Sequence, residues 1–237
     1  MILFTREVYL RLFDQYNAAV WPAQLVAYLA AAVVLLMIFR RRRGGRRIIA
    51  AILAGFWAWA GVIYHMGTFA TINWAAWGFG VLFVVQSAML AWTGGVRGRL
   101  SFRLDRTPTG WTGMGLMALA LAAYPLIGPL TGAGWTQVGL VGVAPNPTVL
   151  FTLAVLLLAR GGVPVALLVI PLVWCLIVGL AAWFVPVPED VVLIPAGVLA
   201  LVLAVRRRRR VRRVRPAEPR PASPPPPGSP GCGTGGR

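Results

Sequence analysis

The sequence contains no lysine, one histidine (His65), six acidic residues and two cysteines. Charged side chains make up 12% of its 237 residues, about half the roughly 25% usual in soluble domains. That scarcity, with a mean hydropathy of +0.74, excludes an ordinary water-soluble domain and points to lipid as the solvent. The cysteines exclude a disulfide framework. Cys175 lies within an apolar run and Cys232 in a polar C-terminal tail, so the two are not expected to meet, and two isolated thiols do not make a zinc site. No Ser/His/Asp spacing, phosphate loop or GxGxxG stands out. No catalytic residue, metal site or cofactor is therefore expected, and the chain does not read as an enzyme.

Arginine is what the chain has in excess. All 23 basic residues are Arg and the net charge is +17. Such a charge can mark nucleic-acid binding, but here the Arg residues cluster between apolar spans, which argues against a nucleic-acid partner. The richness in Arg, Ala, Gly and Pro without Lys is that of a GC-rich bacterial coding sequence.

Crossing the hydrocarbon core takes about 20 apolar residues. Runs of that kind occupy 22–39, 48–66, 74–92, 111–130, 163–184 and 188–205. The first begins too far from Met1 for a cleavable signal peptide and lacks a basic flank before it, so it is expected to act as an uncleaved anchor. Cytoplasmic loops are enriched in Arg. FRRRRGGRR, the loop 93–110, Arg160 and the tail after Val205 together hold 21 of the 23 Arg, leaving Arg6 and Arg11 for the other side. The N-terminus is thus expected outside and the C-terminus in the cytoplasm.

The stretch 134–159 is the doubtful one. From Thr148 to Ala159 there are 12 residues, about 18 Å of helix against a core of roughly 30 Å. If 134–159 did not cross, an odd number of spans would separate FRRRRGGRR from RRRRRVRRVR and put one Arg cluster outside. A crossing by 134–159 keeps both inside, giving seven spans. Within this stretch Ala144-Pro145-Asn146-Pro147 is expected to be non-helical, because Pro lacks an N–H and biases its predecessor towards extended backbone. Thr148 is a candidate cap for the helix that follows. Two readings stay open: a broken helix lining a cavity, as in transporters, or an external loop followed by a short helix where the bilayer is thin.

The expected fold is therefore all-α, a polytopic transmembrane bundle over 22–205. Residues 1–21 precede it as an external amphipathic helix, with Tyr9, Phe13 and Tyr16 on one face. Residues 206–237 follow as a disordered, basic, Pro-rich cytoplasmic tail. Trp21, Tyr64, Trp74, Trp92, Trp111 and Trp183 fall near span ends, as interfacial aromatics do. Small residues at spacing four (Ala23, Ala27, Ala31; Ala76, Gly80) mark close helix packing. Gln86 is expected to hydrogen-bond between helices. The Arg run offers anionic lipid a site at Arg206, Arg207, Arg208, Arg209 and Arg210, although it also serves simply as a stop-transfer and orientation signal.

Topology sorts the polar residues. His65, the three Asn and four of the six acids fall at the outer side. Any ligand chemistry should therefore face outward, with His65, Asn73, Asn146, Glu189 and Asp190 as the candidate ligand-binding residues. Trp57, Gly61 and His65 share one helical face, and Glu189 and Asp190 open the last helix after Pro188. Each also has a plain structural reading: a packed histidine, and acids complementing a helix dipole. The function classes left are a binding or transport protein with an outward-facing polar pocket for a small solute or ion, and a structural or accessory membrane protein acting through partners.

The segments FDQYNAAVWPAQ, YHMGTFATINWAAWGFG, GVAPNPTVLFTLAVLLLA and IPLVWCLIVGLAAWFVPVPEDVVLIPAG together resemble a bacterial membrane family, domain of unknown function 6064, from about Phe4 to Val205. The resemblance implies a multi-pass membrane protein and no established activity, substrate or catalytic residue; the expected location is the bacterial inner membrane. It also implies a Cys between the paired prolines. Asn146 stands there in this chain, so thiol chemistry is not expected at that position.

Overall fold

The computed structural model describes residues 5–40, 44–160, 163–182 and 187–214. These are helical apart from turns, the irregular connections 97–107 and 138–144 and one isolated β-bridge, Phe102 with Ala159. The first helix, α1, spans Arg6–Ala19. Thr5 caps it by accepting the Val8 N–H, and Glu7 in the first turn suits the helix dipole. Its apolar stripe of Leu10, Leu12, Phe13 and Tyr16 is buried against the end of the bundle. This packs α1 onto the protein.

Five helical stretches are long and apolar enough to cross a membrane: Ala23–Arg40, Gly45–Thr71, Ala76–Val96, Pro108–Leu130 and Pro188–Arg208. They match five of the runs read from sequence to within a few residues. They are built around α2 (Ala23–Arg40), α3 (Gly45–Trp59), α4 (Ala76–Leu90), α5 (Pro108–Ala118) with α6 (Tyr124–Leu130), and α9 (Leu193–Val214). Two apolar helices are shorter, α7 (Pro145–Leu157) and α8 (Ala166–Ala181). The outer faces carry Leu29, Leu36, Val85, Leu180 and Val198 in the open, the exposed apolar surface a lipid-facing bundle needs. Gln86 donates to the Leu167 carbonyl at 3.0 Å, as the sequence leads one to expect. Gly61 and Gly80 form a close crossing: a Cβ on Gly80 would meet the Gly61 carbonyl oxygen at 2.9 Å.

All thirteen residues of α7 are buried. It is the central post of the bundle and meets protein on every side. The Pro-Asn-Pro stretch is not an irregular break. Ala144 is extended (φ −106°, ψ 146°) and the helix begins at Pro145. The first four N–H groups of a helix have no intrahelical acceptor, so two prolines in the first turn forfeit nothing. Thr148 is not a cap. Its hydroxyl accepts from Gly142 N–H (2.8 Å) and donates to the Ala144 carbonyl (2.6 Å). Gly142, at φ +86°, is required here, since a Cβ would run into Phe56 and Ala27 at 2.7 and 2.8 Å. Trp57 Nε1 ties α3 to the post by donating to Thr152 Oγ1 at 2.9 Å.

The two ends of the bundle differ in chemistry. At one end the carbonyls of Leu157 and Leu158 accept from Arg207 Nη1 (2.9 Å) and from Arg103 N–H (3.0 Å). Arg160 N–H reaches the Ser101 carbonyl there at 2.6 Å, and Arg103 pairs with Asp105 at 3.3 Å. Gly94 is seated against Ala50, and Gly98 lies beside the Arg46 guanidinium, bringing the segment after α2 to the same end. The opposite end holds α1, the Tyr16 hydroxyl on the Val143 carbonyl (2.6 Å), and Asn17 donating to the carbonyls of Thr136 and Val138. Exposed tryptophans ring both levels, Trp21 and Trp74 at one and Trp92 and Trp111 at the other.

The last helix continues to Val214, past the point where the sequence places the start of a disordered tail. Arg is a good helix former, and the apolar turns before it have already nucleated the helix. Trp183, Cys232, the rest of the tail and the side chains of Arg209 and Arg210 lie outside the described residues.

Candidate functional site

The site is built at the Arg-poor end. From Ala60 to Thr68 the helix that begins as α3 widens into π-helical turns, a distortion that recurs at functional sites. Tyr64 and His65 sit on it, both buried. The expectation that Tyr64 is an interfacial aromatic fails for this reason: the widened turn points it inward, against Phe13 and Tyr16 of α1 at centroid distances of 5.3 and 5.2 Å. His65 is 0% exposed. It lies in a box of rings, 4.7 Å from Phe83, 5.0 Å from Trp174 and 5.9 Å from Phe79. Neither ring nitrogen has a hydrogen-bond partner among the described residues. Trp57, which shares this face, packs against Phe83 with the rings tilted and their centroids 4.4 Å apart, so the Trp57–Gly61–His65 stripe is inward-facing as its spacing implies.

A second cluster meets it from α6, α7, α8 and the turn before α9. Asp190 lies in a tight helical turn, Pro188–Val192, and is 7% exposed. Its Oδ1 accepts from the Tyr124 hydroxyl and from Asn146 Nδ2, each at 2.6 Å. Asn146 Oδ1 in turn accepts from Trp174 Nε1 at 2.8 Å. The amide thus uses its donor on the acid and its acceptor on the indole. The helix start at Pro145 is what aims it there, with Asn146 only 5% exposed. Among the described residues the only ion pair is Arg103 with Asp105, so Asp190 has no cationic partner within them.

Between the two clusters lies a cavity of about 190 Å³, well above the roughly 10–15 Å³ that accommodates one water. His65, Asn73, Asn146 and Asp190 all line it, from four separate segments. Asn73, half-buried, also accepts the Ala75 N–H at 3.1 Å and so shapes its own turn. Tyr9 of α1 closes part of the cavity, and Phe79 and Trp174 form walls that meet at 79°. Glu189 is buried but does not line this cavity. It belongs to an adjoining space of about 10 Å³ shared with Asn146, Tyr124 and Asp190, and its Oε1 packs against Gly128, 3.2 Å from where a Cβ would sit. Tyr16 anchors α1 over the site, accepting from Trp59 Nε1 at 2.9 Å. Burial pushes its phenol well above the ordinary value.

A family model matches residues 6–215. The chain belongs to the family of unknown function DUF6064. No curated protein and no solved structure matches it. Within this family member, the Asn between the prolines is the hub that joins Asp190 to Trp174. Sequence reasoning missed Tyr124, Phe79 and Trp174. One signal for Trp174 was available: it sits in the middle of an apolar run, away from the span ends where membrane tryptophans gather.

Proposed function

We propose that this DUF6064 protein crosses the membrane seven times and takes a small solute or ion into its cavity from the non-cytoplasmic side, for binding or transport. The observation that carries the reading is the convergence of His65, Asn73, Asn146 and Asp190 on one cavity, at the end of the bundle opposite the Arg-rich segments. Under the positive-inside rule the Arg-rich end is cytoplasmic. That places the N-terminus and the cavity outside and the C-terminus inside, in the inner membrane of a bacterium. The seven-span count is supported by the direction of α7. Its start lies beside Asp190 and Tyr124 and its end beside Arg103 and Arg207, so it runs from one level of the bundle to the other.

A structural or accessory role is the second reading. It is favoured by the hydrogen bonds that Asp190, Asn146, Tyr124 and Trp174 make among themselves, which give these groups a use without any ligand. The orphaned nitrogens of His65 weigh against it, because a buried polar group left unpaired is costly.

Two experiments test the proposal. A reporter active only in the cytoplasm should work when fused after Arg106 or Arg215 and stay silent after Gly134; activity at Gly134 would overturn the topology. For the site, the full chain in lipid nanodiscs is screened by thermal shift against small amines, carboxylates, alcohols and sugars. At least one class should stabilise the wild type and leave Ala181→Phe, which fills the cavity, unmoved. If no solute separates the two proteins, the cavity is packing space and the accessory reading replaces this one.

A further inference from the structure

We propose that the solute is an organic ammonium ion, held by the aromatic walls of the cavity with Asp190 as its counter-charge. This rests on the reading of the cavity as a solute site. Three features of the lining point the same way. First, five aromatic side chains border the space: Tyr9, Tyr64, Phe69, Phe79 and Trp174. Aromatic faces attract cations through the ring quadrupole, and desolvated sites of this kind are the usual receptors of quaternary ammonium groups.

Second, Asp190 borders the same space with its carboxylate buried. The groups that reach it, a phenol and an amide, are neutral and both bind Oδ1. They supply hydrogen bonds but no positive charge, and the anionic form of a carboxylate so buried is costly unless a cation meets it. The described residues supply no such cation. Third, His65 borders the space with both ring nitrogens unpartnered. Those nitrogens are shielded from the space as well, so what His65 presents to a ligand is ring surface.

The donor set is poor for an inorganic ion. Hard cations demand several oxygen ligands, and no three His, Cys, Asp or Glu side chains gather among the described residues. A bulky, weakly hydrated organic cation needs what is present, aromatic surface and one negative charge.

The test uses choline and dimethylbutanol, its uncharged carbon isostere, with the full chain in nanodiscs and binding read by calorimetry. Choline should bind saturably, and the isostere at least about tenfold more weakly, a difference of about 1.4 kcal/mol. Asp190→Asn keeps Oδ1 for both donors, removes the charge and exchanges Oδ2 for an uncharged NH2; it should lower choline binding to the level of the isostere. Phe79→Leu, which removes one wall and none of the hydrogen bonds described above, should weaken choline by roughly threefold and leave the isostere unchanged. Should Asp190→Asn not fold, the choline–isostere comparison on the wild type and the Phe79→Leu result decide. Equal binding of the two probes overturns the cation assignment while the cavity remains a solute site. So does absence of choline binding when another solute class still distinguishes wild type from Ala181→Phe. Silence of choline and of the whole panel overturns this inference and the proposed function together.

Discussion

Replacing His65 by Phe should stabilise the ligand-free protein. The imidazole is fully buried, and its two nitrogens meet no partner among the described residues. A buried donor or acceptor left unpaired costs about 1–3 kcal/mol, and neutral His carries one of each. Phe deletes both polar atoms and keeps the ring contacts to Phe83 and Trp174, at 4.7 and 5.0 Å. The larger ring adds a packing cost of about 1 kcal/mol, moderated because the cavity borders this position. The net expectation is a gain of about 1–5 kcal/mol, or several degrees in Tm for a chain of this size. Tryptophan fluorescence during thermal unfolding in nanodiscs, without added solute, measures it. A loss of 1 kcal/mol or more would refute the reasoning. It would mean that the imidazole is hydrogen-bonded in the protein as it exists, and the case for an unmet polar group in the cavity would fall. A gain accompanied by lost solute response is the trade of stability for function expected at a binding site.

Other variants test the frame around it. Gly80→Leu should destabilise strongly, by about 3 kcal/mol or more, because even a Cβ meets Met66 Cγ at 2.6 Å and the Gly61 carbonyl at 2.9 Å. Gly55→Ala, with nothing within 4 Å of the new methyl group, should gain about 0.5–1 kcal/mol; equal effects at the two sites in a Tm measurement would contradict the close crossing of the helices. Arg207→Ala removes the hydrogen bond to the Leu157 carbonyl and should cost about 1.5–3 kcal/mol, with Arg208→Ala as the neighbouring control; a Tm unchanged by Arg207→Ala would show that the end of α7 does not depend on it. For access, Asn73→Cys should react with an impermeant thiol reagent added outside cells, whereas Leu157→Cys should not. The sequence alone would have favoured Asn146→Cys for this experiment, but at 5% exposure that position should label far more slowly than Asn73→Cys. Fast labelling at Leu157→Cys would overturn the burial of α7.

Composition and periodicity by themselves determine that this is a helical chain made for lipid. The five long spans are readable because each must hide its backbone from hydrocarbon within a single run of apolar residues. The partition of Arg also determines which polar residues share an end, which is why His65, Asn73, Asn146 and Asp190 could be grouped before any contact was known. Their grouping on one cavity was decided by tertiary structure alone. The hydrogen bonds from Asn146 to Asp190 and from Trp174 to Asn146 join residues far apart in the chain, and no local pattern records such pairings. The same holds for α7. Its uniformly apolar sequence reads alike for a helix in lipid and for one sheathed in protein, since both surroundings exclude water. Only the packing of its neighbours distinguishes them. The inward turn of Tyr64 depends on a local widening of the helix that apolar spacing does not encode. The start of α7 at Pro145 depends on an absence: the first turn has no N–H groups in use, so the residues that would break a helix elsewhere can open this one.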